Sequence, residues 1–255
     1  MANSADTAPD FGNWVATRLI YIFALLGAVV LALGFVFTLF LVIAAALFFA
    51  VAGYFAYARY LFSPKGGNVQ NQIWNLAVSN LDWSGEGKAI DIGCGNGALT
   101  IKTAQKFPSA QVTGIDFWGE RWEYSKGACE ANAKAADVAG RTVFEKASAS
   151  KLPFADGYFD AAVSNLCFHE VADTKDKREV IREALRVVKK GGAFSFQDLF
   201  MLKSVYGDVD ALVAAVKSWG VSNVEFVETR NAAFVPAALK LPFMVGRMGI
   251  IKGEK

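Results

Sequence analysis

The sequence predicts an α/β protein: a parallel sheet with helices on both faces, preceded by a hairpin of two transmembrane helices. Three observations carry this reading. From about residue 85 onward, short apolar runs alternate with helix-patterned stretches, as in a sheet covered on both sides. A glycine-rich turn, Gly93-Cys-Gly-Asn-Gly97, directly follows the first run and opens a helix. Between Leu19 and Ala58 there is no charged residue, and Tyr21, Thr38, Tyr54 and Tyr57 are the only polar side chains.

The 255 residues suffice for one good-sized domain and an appendage. Hydrophobic residues make up 54% of the chain, and the excess lies in its N-terminal part. A net charge of +2 without a basic block gives no reason to expect a nucleic-acid partner. Cys94, Cys129 and Cys167 form no CxxC pair, and their odd number points to reduced thiols in a cytosolic compartment. His169 is the single histidine, which excludes a three-histidine metal centre, and no metal is expected.

An uncharged run of 40 residues would make a helix of about 60 Å, twice the roughly 30 Å of a bilayer core. Two spans fit better than one: Leu19–Phe37 and Leu39–Tyr60, with the turn near Gly34–Thr38. Arg18 precedes the run, and Arg59 and Lys65 close it, so both ends are expected on the cytoplasmic side. Tyr54, Tyr57 and Tyr60 would form the interfacial belt. The run is too long for a signal peptide. One tilted span, or a helical pair packed on a partner, stand as alternatives. The expected organisation is a tail (1–17), a membrane segment (18–62), a linker with a leading helix (63–84) and a catalytic domain (85–255).

Within that domain the expected strands are Lys88–Ile92, Gln111–Ile115, Thr142–Lys146, Ala161–Asn165, Ala193–Asp198 and Val224–Thr229. Met244–Lys252 adds a possible edge strand. Helices are expected over 68–83, Leu99–Lys106, Gly119–Ala136 and Lys175–Lys189. Ser63-Pro-Lys-Gly-Gly67 marks the linker.

Glycines in the turn let backbone approach a ligand closely, and the following helix start supplies free N–H groups. The turn also matches the GxGxxG/A dinucleotide fingerprint, so a nicotinamide enzyme is a rival. Asp91, two residues before the first glycine, separates the two. Its carboxylate would repel a pyrophosphate and attract the sulfonium and ammonium of S-adenosylmethionine. Asp116 ends the second strand, where an acid accepts from ribose hydroxyls in either class.

The segments Asp91-Ile-Gly-Cys-Gly-Asn-Gly97, Gly114-Ile-Asp116, Leu152-Pro-Phe154, Phe159-Asp160, Ser164-Asn165 and Leu185-Arg-Val-Val-Lys-Lys-Gly-Gly192 occur in that order. In them the chain resembles the class I S-adenosylmethionine-dependent methyltransferases, above all the type 11 group with the quinone C-methyltransferases. The resemblance covers roughly residues 85–200 and not the membrane segment. It implies a Rossmann-like seven-stranded methyltransferase sheet with a reversed final hairpin. It implies that Asp91 and the loop of Gly93, Cys94, Gly95, Asn96 and Gly97 hold the methionine part. Asp116 would bind the ribose, Phe117 or Trp118 would flank the adenine, and Asn165 would lie beside the methionine moiety. Where the family often carries an acid toward the adenine amino group, this chain has Ser148, followed by Ala149.

Methyl transfer needs alignment in a dry pocket and a base only if the nucleophile must lose a proton. His169 is the candidate base and Glu170 a second candidate; a structural histidine and a helix start are their plain alternatives. Cys167 reads as a small packing residue. Asp198, Phe200 and Tyr206 would line the acceptor pocket. Trp118 could offer cation–π contact, whereas Trp122 and Tyr124 read as core. Met201–Asp210 and Ala232–Met248 are apolar enough for a lid facing the bilayer, although Ala232–Met248 also reads as an ordinary connection.

The expected protein is an integral membrane S-adenosylmethionine-dependent methyltransferase with its catalytic domain on the cytoplasmic side. Its acceptor would be a small molecule or lipid-like, and its helices could make it a homo-oligomer. A non-catalytic cofactor-binding scaffold and a NAD-dependent oxidoreductase are the alternatives.

Overall fold

The computed structural model describes residues 8–119 and 124–255. It divides into two compact units: Gly12–Gln72, and Ile73–Lys255 joined by Phe11 and the described residues before it.

In the first unit α1 (Thr17–Phe37) and α2 (Leu39–Phe62) form a hairpin. Thr38 makes the break. Its extended backbone ends α1, and its hydroxyl accepts from the Phe40 N–H at 3.4 Å to start α2. A capping threonine therefore does what no proline or charge does here. Small residues form the seam: Gly27, Gly34, Ala45 and Ala52 are buried. A Cβ on Gly27 would meet the Phe49 ring at 3.1 Å, the close approach that small residues allow between apolar helices. The other faces display Leu25, Phe35, Leu39, Phe40 and Leu47. Both helices are long and apolar enough to cross a membrane. At the hairpin's base Arg59 donates to the Val15 carbonyl at 2.5 Å, and Asn13 donates to the Arg59 carbonyl at 3.0 Å.

The described residues of the second unit form a seven-stranded sheet. Its strands are β1 (Gly87–Ile92), β2 (Ala110–Asp116), β3 (Thr142–Lys146), β4 (Phe159–Asn165), β5 (Val188–Asp198), β6 (Ser222–Glu228) and β7 (Gly249–Glu254), in the order β3-β2-β1-β4-β5-β7-β6. The first five are parallel, and β7 runs antiparallel to both β5 and β6. The order reverses at β1, which pairs with β2 on one side and β4 on the other. In open α/β sheets that switch point opens a ligand crevice beyond the strand tips.

Helices α3 (Val69–Ser79), α4 (Ala98–Lys106), α5 (Lys126–Ala135), α6 (Lys177–Arg186), α7 (Lys203–Tyr206) and α8 (Val209–Ser218) complete the fold. From Ile73 on, α3 packs on the sheet, and the Ser195 hydroxyl donates to the Ala77 carbonyl at 2.7 Å. Asp176 caps α6 by accepting from the Arg178 N–H at 3.0 Å. That helix buries Val180, Ile181, Ala184 and Leu185 against a core containing Phe159, Phe194 and Phe196.

Four expectations change. The last strand is no edge: β7 is inserted between β5 and β6, begins at Gly249, and leaves β6 outermost. The helix expected to reach Lys189 stops at Arg186, because β-branched Val187-Val188 turns into β5. Within and beyond the expected loop Met201–Asp210 lie α7 and α8, the latter signalled by Leu212 and Val216 one turn apart. The stretch expected as one helix over Gly119–Ala136 is helical from Lys126 to Ala135. Trp122 lies outside the described residues, and Tyr124 is not core: its ring is half-buried, 3.6 Å from a Cβ built on Gly95.

Candidate active site

The tips of β1, β2, β4 and β5 share one edge of the sheet, and the residues singled out by sequence converge there. Asp91 is fully buried near the end of β1. One carboxylate oxygen accepts from the Thr100 hydroxyl at 2.6 Å, and the other, Oδ1, is buried with no partner. Burial raises this carboxyl to about 7; hydrogen bonds from Thr100 work against the rise, and the charge of Asp116 adds to it.

The turn follows with Gly93, Gly95 and Gly97 at φ 76°, 57° and 83°. At Gly93 a Cβ would fall 2.3 Å from the Cys167 side chain, so only glycine fits. Within the turn, Gly93 and Cys94 donate to the Ile115 carbonyl, Gly97 to the Cys94 carbonyl, and Gly95 to Asp116 Oδ2 at 2.9 Å. Three side-chain oxygens here are buried without a partner: Asp91 Oδ1, Asn96 Oδ1 and Asn165 Oδ1. Buried acceptors without a donor suit a cation.

Asp116 is committed more heavily than the sequence suggested. Besides Gly95 it accepts from the Trp118 N–H at 2.9 Å, while the Trp118 indole donates to the Gly95 carbonyl at 3.0 Å. Trp118 thus braces the turn, and Phe117, 62% exposed, is the ring left facing outward, with the Lys146 ammonium 5.2 Å from its centre. Beyond β3, Ser148 donates to Asp173 Oδ2 at 3.1 Å and Ser150 does so at 2.7 Å. Asp173 carries no local sequence signal for this contact, which spans 25 residues. Ala149 is buried in the core, and Cys94 is buried with its N–H on the Ile115 carbonyl.

Past β4, a short 3-10 turn (Phe168–Glu170) presents His169. Its Nδ1 donates to Asp198 Oδ1 at 2.5 Å, since a carboxylate there can only accept. Its Nε2 lies 3.3 Å from Glu170 Oε1. Asp198 is wholly buried at the end of β5 and also accepts from the Phe168 and Leu199 N–H groups at 2.8 and 2.6 Å. Burial pulls the imidazole down, but the hydrogen bonds and charges of Asp198 and Glu170 outweigh it and hold it at about 9. The Tyr206 hydroxyl is buried without a partner, its pKa raised by burial and by the Asp198 charge. Cys167 packs beside the core, as expected of it.

Fold and edge can now be set beside known proteins. Residues 90–196 match the family model described as "Methyltransferase domain". The chain is 31% identical over 170 residues to 27-O-demethylrifamycin SV methyltransferase of Amycolatopsis mediterranei, covering 61% of this chain and 60% of that one. It is 30% identical over 137 residues to a ubiquinone/menaquinone biosynthesis C-methyltransferase of Geotalea daltonii, covering 51% and 55%. The chain thus spans less than two thirds of the length of either relative. Among solved structures, a geranyl diphosphate C-methyltransferase from Streptomyces coelicolor shares the fold with a TM-score of 0.55 at 13% identity, covering 72% of this chain and 79% of that one. The [4+2]-cyclase SpnF does so at 0.54 and 20%, covering 72% and 81%.

Proposed function

We propose that this protein is a membrane-anchored S-adenosylmethionine-dependent methyltransferase acting on a small, hydrophobic or membrane-associated acceptor. The observation that carries the cofactor is the set of buried, unpartnered oxygens of Asp91, Asn96 and Asn165 in and beside the glycine turn. S-adenosylmethionine supplies an activated methyl group and brings an ammonium that such a lining would bind. Gly93–Gly97 and Asn165 would hold its methionine part, Asp116 the ribose, and Phe117 one face of the adenine.

Ser148 accepts from the adenine amino group in this reading, with Asp173 taking the hydroxyl proton. Ser148→Ala should weaken S-adenosylhomocysteine binding about fivefold, the scale of one hydrogen bond of about 1 kcal/mol. Asp173→Ala should weaken it less. Calorimetric titration checks both, and equal affinity of all three proteins would remove Ser148 from the site.

His169, held in one tautomer by Asp198, takes the proton of an acceptor hydroxyl or acidic carbon. Asp198 and Glu170 stabilise the imidazolium that results.

For the membrane, two span-length helices leave one catalytic unit and return to it. The residues just before them bind that unit: the Asp10 N–H donates to the Asn132 side chain at 2.9 Å, and the Phe11 ring lies 5.5 Å from Trp74. That attachment favours a hairpin with both ends on the domain's side, which the positive flanks make cytoplasmic. On this reading residues 18–62 anchor the domain of 85–255, and the helices offer a surface for self-association.

The test is purified protein with methyl-labelled S-adenosylmethionine and native membranes, with label partitioned among organic, aqueous, protein and volatile fractions. Label in the organic fraction that vanishes with Asp91→Ala is the expected result. Because a cyclase shares the fold, cofactor binding without any transfer is the second reading, and absence of label in every fraction would favour it.

A further inference from the structure

Among the described residues, buried side-chain oxygens lack a hydrogen-bond partner at Asp91, Asn96, Thr103, Asn165, Gln197 and Tyr206. A buried polar group without a partner is costly, so each asks for an explanation. The cofactor reading accounts for Asp91, Asn96 and Asn165. Thr103 stands inside α4, where a hydroxyl has the carbonyls of its own helix beside it. Gln197 keeps its amide N–H on the Thr229 hydroxyl at 2.9 Å and, one residue before Asp198 in β5, lies on the opposite face of the sheet. Tyr206 is left, and no step above uses it.

Tyr206 ends the short helix α7 and is 2% exposed. Its ring meets the Phe200 ring edge to face, with centroids 5.1 Å apart, and its backbone N–H donates to the Leu202 carbonyl at 3.1 Å. Its hydroxyl is held near Asp198 without a hydrogen bond to it. Asp198 already accepts from His169 and Leu199 on Oδ1 and from Phe168 on Oδ2. Burial, and then the Asp198 charge, raise the phenol, which therefore keeps its proton at every working pH. The carboxylate at the end of β5 thus has two neighbours, an imidazole that can take a proton and a hydroxyl with an unspent O–H.

A way toward that hydroxyl exists. Tyr206 lines a hollow of about 380 Å³, with Lys175, Arg178, Lys203 and Ser204, where α7 faces the residues leading into α6. Asp198 is not among its walls, so a molecule entering there meets Tyr206 first. An O–H that stays protonated needs a lone pair, and the methyl acceptor is the molecule expected beside His169.

We propose that Tyr206 is a catalytic residue that recognises the methyl acceptor: its hydroxyl donates to an acceptor oxygen, a hydroxyl or carbonyl at, or one bond from, the atom that is methylated. This rests on the methyl-transfer reading above. When His169 Nε2 takes the proton from that O–H, or from a C–H beside that carbonyl, negative charge gathers on the oxygen. Tyr206 stabilises the charge where it develops. The electron pair left by the proton forms the bond to the methyl carbon, the pair of the methyl–sulfur bond stays on sulfur, and His169 passes its proton to water. Hydrocarbons and amines without such an oxygen leave the hydroxyl unpaired and are rejected.

The test is Tyr206→Phe in the full chain, which keeps the ring against Phe200 and removes one oxygen. Affinity for S-adenosylhomocysteine by titration calorimetry should stay that of the wild type. The melting temperature should hold or rise, since the free protein loses no hydrogen bond. His169 is the single histidine, so its ring signals titrate in NMR without overlap, and their midpoint should not move. Transfer of label to native membranes should slow roughly 10–100-fold, the scale of losing a hydrogen bond to a charged oxygen. Mass spectrometry of the labelled product should place an oxygen at or next to the methylated atom. An unchanged rate, a lower melting temperature, or a His169 midpoint moved up because Asp198 has lost a donor would each overturn the proposal, as would a product without that oxygen. Absence of label in every fraction with the wild type would overturn the methyl-transfer reading itself, and this proposal with it.

Discussion

Asp91→Asn weakens S-adenosylmethionine binding roughly 10²–10³-fold while leaving the protein folded, the range for removing one partner of a buried charge pair. The reason is the orphaned Oδ1: burial makes the ionised carboxylate costly, and only a cationic ligand restores what water would have supplied. The pH dependence follows. With Asp91 at about 7 in the free protein, affinity for S-adenosylhomocysteine should fall by up to a decade per pH unit below that value and level off above it. Asp91→Asn should flatten the profile.

The same shift has a stability consequence of opposite sense. The folded protein holds a proton on Asp91 over a range where the unfolded chain has lost it. Stability from this group is therefore greatest at acid pH and is lost as pH rises from the ordinary carboxylate value toward about 7. At pH 8 the cofactor-free Asp91→Asn protein should melt higher than the wild type, and added cofactor should stabilise only the wild type. Titration calorimetry and thermal melts read both effects. A variant that binds normally would remove Asp91 from the site.

His169→Gln lowers kcat by about 10²–10⁴-fold, the usual worth of a positioned general base, with cofactor affinity unchanged. At about 9 the imidazole is protonated at neutral pH, so its basic form grows with pH. The profile of kcat/KM should climb toward pH 9 in the free enzyme. The positive sulfonium disfavours an imidazolium beside it, so kcat should climb at lower pH. Glu170→Gln should move the kcat/KM limb down while keeping most of the activity. Asp198→Asn should move it further and also cost kcat, because the neutral amide no longer holds the tautomer. A flat profile with full activity in His169→Gln would mean that the acceptor arrives already nucleophilic and that the histidine is structural.

Much of this site is written in local sequence. The turn after β1 needs glycine where the backbone adopts positive φ against Cys167, so Gly93–Gly97 stand out in any reading. Asp91 is conspicuous as an acid inside an apolar strand. The two N-terminal helices follow from hydropathy alone, since forty uncharged residues have few other uses. Their break at Thr38 was harder to place, because a capping hydroxyl is a weaker mark than proline.

The remainder was not local. That β7 enters between β5 and β6 depends on cross-strand pairing, to which a short apolar run gives no address. Asp173 reaches Ser148 across 25 residues, and Asp198 reaches His169 across 29, because β4 and β5 are neighbours in the sheet. Sequence had both His169 and Asp198 near the acceptor, but not as a pair. Nor does composition tell a hidden apolar loop from a displayed one; within 229–248 packing buries Val235, Leu239, Val245 and Met248 and leaves Leu241 exposed. The sequence alone determined the class of domain, its glycine turn and its paired apolar helices, since each follows from backbone conformation or from hydrophobicity along a short segment. Only the tertiary structure decided which oxygens are left unpaired, which base has a partner and which apolar residues face outward, because those are properties of neighbours brought together from distant parts of the chain.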